Sequence, residues 1–296
     1  MPVSKTRILV VLMFGILAAS FASIIIRLTP APSLVVAAGR MLFATILLTP
    51  FYFAQPALRK QELKLKKLLL SLLGGVFLAA HFGFWIESLR HTTVTSSVVL
   101  VAMNPIFVAL LSPFLIREGI SPRLWIAIIL GILGALIINK PAMTNTGNLN
   151  GNLLALTGAL FAALYVLVGR KLRPGLSLLG YVYPVYFIAA LILTILAFIS
   201  GNPLATCSLK TCLLILLLAI GPQIIGHTSF NWALAYLPAS VVALTILGEP
   251  VGTTLLAMIL LRQPPTCWEI MGGIIILSAI YLASTGFNLT KNGAPV

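Results

Sequence analysis

Gly75-Val76-Phe77-Leu78-Ala79-Ala80-His81-Phe82-Gly83-Phe84 and Gly221-Pro222-Gln223-Ile224-Ile225-Gly226-His227-Thr228-Ser229-Phe230 carry a glycine, a histidine and a phenylalanine at one shared spacing, 146 positions apart (221 minus 75). Each stretch lies inside an apolar run long enough to cross a bilayer. A histidine there is costly to bury. Its recurrence at matching places in two halves of the chain predicts an internal duplication around a shared interior site.

Other pairs extend the match. Asn104-Pro105 answers to Glu249-Pro250, Pro122-x-x-Trp125 to Pro265-x-x-Trp268, and Gly15 to Gly158 within stretches of small residues. Runs of about 20 apolar residues predict ten helices, near 8–28, 33–54, 67–89, 94–115, 122–139, 151–169, 176–199, 211–236, 239–261 and 267–286. Five helices per half is an odd number, so the second half must enter the membrane from the opposite side. The expected fold is an all-α polytopic membrane protein, ten transmembrane helices in a 5+5 inverted repeat, an arrangement that lets one cavity open to either face in turn. The first repeat is expected over 1–140, a linker rich in Asn, Thr and Gly over 141–150, and the second repeat over 151–296. The first span has the flavour of a signal peptide, but it is long and joins the next span through only Thr29-Pro30-Ala31-Pro32, so it reads as retained.

Composition sets the class independently. The chain is 60% hydrophobic and 8% charged, with a mean hydropathy of +1.11, far from the roughly 25% charge of a soluble domain. A net charge of +14 is what a nucleic-acid binder can show, yet the cations stand in short clusters between apolar runs rather than along one face. Topology explains them. With the N-terminus in the cytoplasm, Lys5, Arg7, Arg59, Lys60, Lys64, Lys66, Lys67, Arg117, Arg123, Arg170, Lys171, Arg173 and Lys291 fall inside, and only Arg27, Arg90, Lys140, Lys210 and Arg262 outside. That bias predicts a multi-pass protein of the bacterial inner membrane with both termini cytoplasmic, and it makes the segment Arg59–Lys67 a topology determinant lying on anionic lipid headgroups. Cys207, Cys212 and Cys267 all fall on the external side, where two of them would be able to join; the plainer reading is three small apolar residues.

Arg40 early in the second span, Asn104-Pro105-Ile106-Phe107-Val108-Ala109-Leu110-Leu111 in the fourth and Leu247-Gly248-Glu249-Pro250 in the ninth, within ten apolar spans, resemble the EamA-type branch of the drug/metabolite transporter superfamily. The resemblance covers nearly the whole chain. It implies metabolite transport, typically export of amino acids or related compounds, through a cavity lined by the third, fourth, eighth and ninth helices and their neighbours. Asn104 departs from the small or hydroxyl residues common at that place in the family, which makes a polar contact there this chain's own.

The polar residues at membrane depth are the candidate substrate-binding set: Arg40, His81, Trp85, Asn104, Gln223, His227, Asn231 and Glu249. Arg40 offers a forked, permanently charged donor for a carboxylate or phosphate; alternatively it snorkels outward or pairs with Glu87. His81 and His227 are either hydrogen-bonded core residues or solute ligands, and their repetition favours the cavity. Gln223, His227 and Asn231 follow at i, i+4 and i+8 on one helix face with Ala219 a turn earlier, a polar strip that makes sense only against protein or water. Glu249 is an acid held near the midplane, where it must be protonated, paired or hydrated. It either carries a coupling proton or caps the helix break made by Pro250. Trp232, Tyr165 and Tyr183 at similar depth read as packing or interface residues.

No metal is expected, because there is no Asp, no His-x-x-x-His and no Cys-x-x-Cys. No nucleotide-binding loop is present either, so no cofactor and no direct ATP drive are expected, and an enzyme is disfavoured by the lack of a nucleophile with a base or of paired acids. The reading is a secondary transporter that moves a small zwitterionic or anionic metabolite by alternating access. Glu249 faces an amine or carries a proton, and small solute, membrane lipids and protons are its expected partners, without nucleic acid. A lipid flippase or a pore-like facilitative carrier stands as the alternative.

Overall fold

The computed structural model describes residues 3–55, 65–140, 148–202, 207–262 and 264–285. Most of the 141–150 linker and the determinants Arg59, Lys60, Lys64 and Lys291 lie outside the described residues. Ten helices are long and apolar enough to cross a membrane: α1 Lys5–Leu28, α2 Ser33–Phe53, α3 Leu65–His91, α4 Ser96–Leu115, α5 Pro122–Asn139, α6 Leu149–Gly175, α7 Leu178–Ile199, α8 Leu209–Ala233, α9 Ala239–Leu256 and α10 Cys267–Ser284. The protein is therefore all-α among its described residues, a multi-pass membrane protein. A chain in hydrocarbon must satisfy its backbone within each span, which helices alone do without a closed barrel.

The helix starts are written in short polar side chains. Ser4, Ser121, Asn148, Ser177 and Ser208 each accept a hydrogen bond from a backbone N–H of the first turn, and Thr266 forms a reciprocal capping box with Glu269. Large apolar side chains such as Phe14, Phe51, Phe114, Phe198 and Tyr281 are exposed on the outside of the bundle, as a lipid-facing surface requires.

Between helices the packing depends on small residues, because lipid supplies no hydrophobic drive to press the helices together. α5 and α10 cross at Gly134 and Gly272: a Cβ on Gly134 would lie 2.8 Å from the Gly272 carbonyl oxygen, and one on Gly272 2.5 Å from that of Gly134. Gly75 lets α3 meet α7 at the Val185 carbonyl, whereas Gly221, its sequence counterpart, has open space at its Cβ position. These two glycines thus match in sequence but not in the contact they make. Helix neighbours come in corresponding pairs: α3 packs on α6 as α8 does on α1, α4 on α6 as α9 on α1, and α3 on α7 as α8 on α2, while α2–α7, α4–α9 and α5–α10 pair across the halves.

Two faces follow from contacts between helix ends. Lys67 donates to the Gly175 carbonyl, Arg170 pairs with Glu118, and Arg123 donates to the Leu282 carbonyl and to Thr285. One face therefore gathers the ends of α4, α6 and α10 with the starts of α3 and α5. The other gathers Arg90 on the Ala31 carbonyl, Thr92 on Asn152 and Lys140 over the Trp268 ring. Among the described cations, Lys67, Arg123, Arg170 and Lys171 share the first face, which agrees with the grouping read from charge. Cys207, Cys212 and Cys267 are free thiols, so no disulfide joins them. Burial first, and the neighbouring Cys212 second, push the Cys207 thiol up from its ordinary value.

Candidate functional site

Four helices lose their regular α-helical form where chemistry gathers, and the first of them is α1, which turns at Phe21 between Ser20 and Ala22. α4 turns at Ala102 and Met103 before its helix resumes at Asn104. α9 turns at Leu247 and Gly248 before its helix resumes at Glu249. Pro105 and Pro250 stand at the second residue of the resumed segments, where a missing N–H deprives the helix of nothing. α8 widens into a π-helical segment over Ala219–His227, around Pro222. The Gln223 carbonyl accepts the Thr228 backbone N–H, and also accepts from the Tyr186 hydroxyl at 3.4 Å and from Thr228 Oγ1 at 3.3 Å. Such widened turns concentrate at functional places.

These irregular turns border one cavity of about 400 Å³, lined by Arg40, His81, Trp85, Asn104, Tyr165, His227, Asn231 and Glu249 among others. Small hydroxyls of α1 and α9 complete it, Ser20, Ser23, Thr253 and Thr254, and Asn139, Thr266 and Glu269 line it where α5 ends and α10 begins. The cavity therefore reaches toward the second face. Glu269 is committed to its own capping box, and Ser20 donates to the Glu249 backbone carbonyl at 3.0 Å, tying α1 to the break in α9.

Arg40 is fully buried in α2. Its Nε donates to Gln223 Oε1 at 2.8 Å and its guanidinium lies 4.2 Å over the Phe82 ring. With one edge bonded and one face covered, Nη1 and Nη2 are left with no hydrogen-bond partner among the described residues. Trp85 Nε1 and Asn104 Oδ1 are buried and unpartnered in the same way, and all three residues line the cavity. Buried polar groups are almost always paired in native proteins, so a concentration of unpaired ones in a cavity wall marks a place shaped for a polar ligand. The Glu249 carboxyl group likewise takes no hydrogen bond from a described residue. Arg40 and Glu249 feel each other's charge yet form no ion pair.

His81 Nδ1 lies 2.9 Å from the Gly158 carbonyl oxygen. A carbonyl only accepts, so Nδ1 carries the proton and a neutral ring offers Nε2 as an acceptor. Gly158 allows this close approach: a Cβ there would lie 3.2 Å from the Trp85 backbone nitrogen, tighter than an ordinary contact. The His81 and Trp85 rings are parallel, 5.8 Å apart, and His227 meets the Phe82 and Phe230 rings edge to face. No group of three or more metal-ligating side chains stands together among the described residues.

The EamA-like transporter family matches residues 6–140 and again 149–285. The chain belongs to that family. An uncharacterized transporter of Archaeoglobus fulgidus is 28% identical over 295 residues, covering 95% of this chain and 98% of the relative. An S-adenosylmethionine uptake transporter of Rickettsia felis is 29% identical over 106 residues, 36% of this chain and 35% of the relative. A crystal structure sharing 16% identity has the same fold, with a TM-score of 0.79 over 95% of this chain and 98% of the other. This EamA-like protein is a transporter of small molecules and not an enzyme.

Seven of the eight residues singled out in the transporter's sequence line the cavity, and Gln223 does not. It lies within the π-helical segment Ala219–His227, and its side chain turns to Arg40 instead of the cavity. It is fully buried behind Arg40, and the polar strip is not one continuous face. Arg40 is fully buried and does not pair with Glu87, which is bonded to His91 at the second face, 3.0 Å away. Asn231 has both amide hydrogens engaged, with the Tyr165 hydroxyl at 2.5 Å and the His227 carbonyl at 2.9 Å, and lines the cavity. Sequence reading assigned Tyr165 to packing and passed over Ser20, Ser23, Thr253, Thr254 and Asn139. Isolated hydroxyls in a membrane helix bond to their own backbone as readily as to a ligand, which leaves no signal in sequence.

Proposed function

We propose that the cavity is the solute site of a secondary carrier that moves a small zwitterionic or anionic metabolite, an amino acid or related compound, across the bacterial inner membrane by alternating access. The observation that carries this reading is the pair of unpartnered Arg40 Nη groups in a wall shared with the unpaired Glu249 carboxyl group. A buried guanidinium is costly unless its charge is answered, and a carboxylate presents two acceptors that match the two free nitrogens of the fork. An ammonium group faces Glu249 in the same pose, and His81, Trp85 and Asn104 fix the rest.

The two stretches matched by one family, and the correspondence of helix neighbours between halves, support two repeats of opposite orientation, 1–140 and 151–296, joined over 141–150. With both termini cytoplasmic, the cavity faces outward. Glu249, the acid in the cavity beside a helix break, is the proton-coupling group, and net movement is export. The relative named for S-adenosylmethionine uptake favours a second direction, inward, for a solute whose amino-acid end fits the same two charges.

The test is exchange in proteoliposomes containing the purified protein. The internal solute is varied over α-amino acids, the corresponding amines lacking the carboxylate, and the corresponding acids lacking the amine. Zwitterions are expected to exchange at least about tenfold faster than either truncated series, one lost charged contact being worth about 1.5 kcal/mol or more. Equal exchange of amines and zwitterions would remove Arg40 from solute recognition and sink the reading.

A further inference from the structure

Opposite the cavity mouth, helix ends are tied together by charge. Arg170, near the end of α6, places Nε 2.5 Å from Glu118 Oε1, just beyond α4, and donates from Nη1 to the Leu234 carbonyl at the end of α8, 3.0 Å away. Glu118 Oε2 accepts the backbone N–H of Ala239 at 3.1 Å, the first residue of α9. Its charge thus sits at the helix N-terminus, where an anion is favoured. Side-chain exposure is 11% for Arg170 and 23% for Glu118. Two side chains therefore join four helices, α4, α6, α8 and α9, all of which contribute cavity wall. Leu234, whose carbonyl takes the Arg170 hydrogen bond, and Val166, one turn before Arg170 on α6, are almost fully buried and line the cavity at its floor. At the mouth, the lining polar residues Asn139, Thr266 and Glu269 form no ion pair across helices.

We propose that Glu118 and Arg170 are the gate of the transport cycle: their pairing closes the cavity on the first face while it is open on the second, and must break for the solute to leave on the first. The proposal rests on the alternating-access reading. These two residues touch no solute. They set which face is open, because helices that must separate on one side are held by bonds that exist only in the closed arrangement. In the sequence Arg170 reads as a topology charge, and Glu118 carries no signal of a role.

The experiment uses the full chain with Cys207, Cys212 and Cys267 replaced by serine, bearing either Thr254→Cys on the cavity wall or Val166→Cys at the floor. A membrane-impermeant maleimide is applied separately to each face, in right-side-out and inside-out vesicles. In the parent, Thr254→Cys is labelled from the mouth and Val166→Cys is protected from the gate face. Glu118→Gln and Arg170→Gln are expected to raise labelling of Val166→Cys from the gate face about tenfold, within the range of typical coupling energies, and to lower labelling of Thr254→Cys from the mouth. The opposite signs separate a shifted equilibrium from a loosened fold, in which both rates rise. Folded variants with unchanged labelling at both sites, or with both rates raised, overturn the gate. No mouth labelling in the parent overturns the cavity reading itself, and the gate with it. If both glutamine variants fail to purify as monodisperse protein, Arg170→Lys keeps the charge but loses the fork that spans Glu118 and Leu234. A smaller rise at Val166→Cys then supports the gate, and none refutes it.

Discussion

Arg40→Met with Gln223→Leu is the perturbation that separates what the cavity costs from what it does. In the native chain Arg40 Nη1, Arg40 Nη2 and Gln223 Nε2 are buried without partners, each costing about 1–3 kcal/mol of desolvation. Arg40→Met alone removes two of these debts but strands Gln223 Oε1, so the two effects roughly cancel. The double variant removes every polar atom of the pair and keeps similar volume against Phe82. It should stabilise the protein by about 1–4 kcal/mol, the range seen when a buried ionic set is replaced by apolar side chains. Solute recognition moves the other way. Loss of two charge-assisted hydrogen bonds at about 1.5–3 kcal/mol each weakens binding by more than about hundredfold. Thermal unfolding of the purified protein in one detergent measures the first quantity, and half-saturation in proteoliposome exchange the second. A double variant clearly less stable than its parent, or one that exchanges solute with unchanged half-saturation, would refute the assignment of Arg40 as a strained solute ligand.

Three further outcomes are expected. Glu249→Gln keeps shape and hydrogen-bonding capacity but cannot titrate, so gradient-driven accumulation and its pH dependence should vanish while exchange persists; accumulation with unchanged pH dependence returns Glu249 to structure. Gly272→Leu places side-chain atoms where α10 already meets the Gly134 carbonyl, and it should lower stability by about 1–3 kcal/mol, measured by unfolding and by recovery of monodisperse protein; an unchanged melting profile would show that α5 and α10 separate without cost. Reporter fusions near Lys64, Arg117, Arg173 and Val296 should read cytoplasmic and those near Lys140 and Lys210 external, and one swapped reading is enough to reject the orientation.

The sequence by itself determined the number of helices, their limits within a few residues and the grouping of cations on one face. Hydrocarbon forces every span to be helical and apolar and leaves charge to the ends, so these features are written locally. It also marked Arg40, His81, Asn104 and Glu249, since a polar group at that depth stands out in any register. Which side of each helix turns inward was not written there. Lipid-facing and interior positions are both apolar, so the periodicity that reveals a buried face in water is nearly flat in a membrane helix. Only the tertiary structure decided that Gln223, 183 residues away in sequence, turns behind Arg40 rather than into the cavity. That choice is made within a π-helical segment, which the sequence announces only through Pro222. The same holds for Glu118 and Arg170. Two charges at helix ends read as topology signals until packing brings the ends of α4, α6 and α8 together with the start of α9.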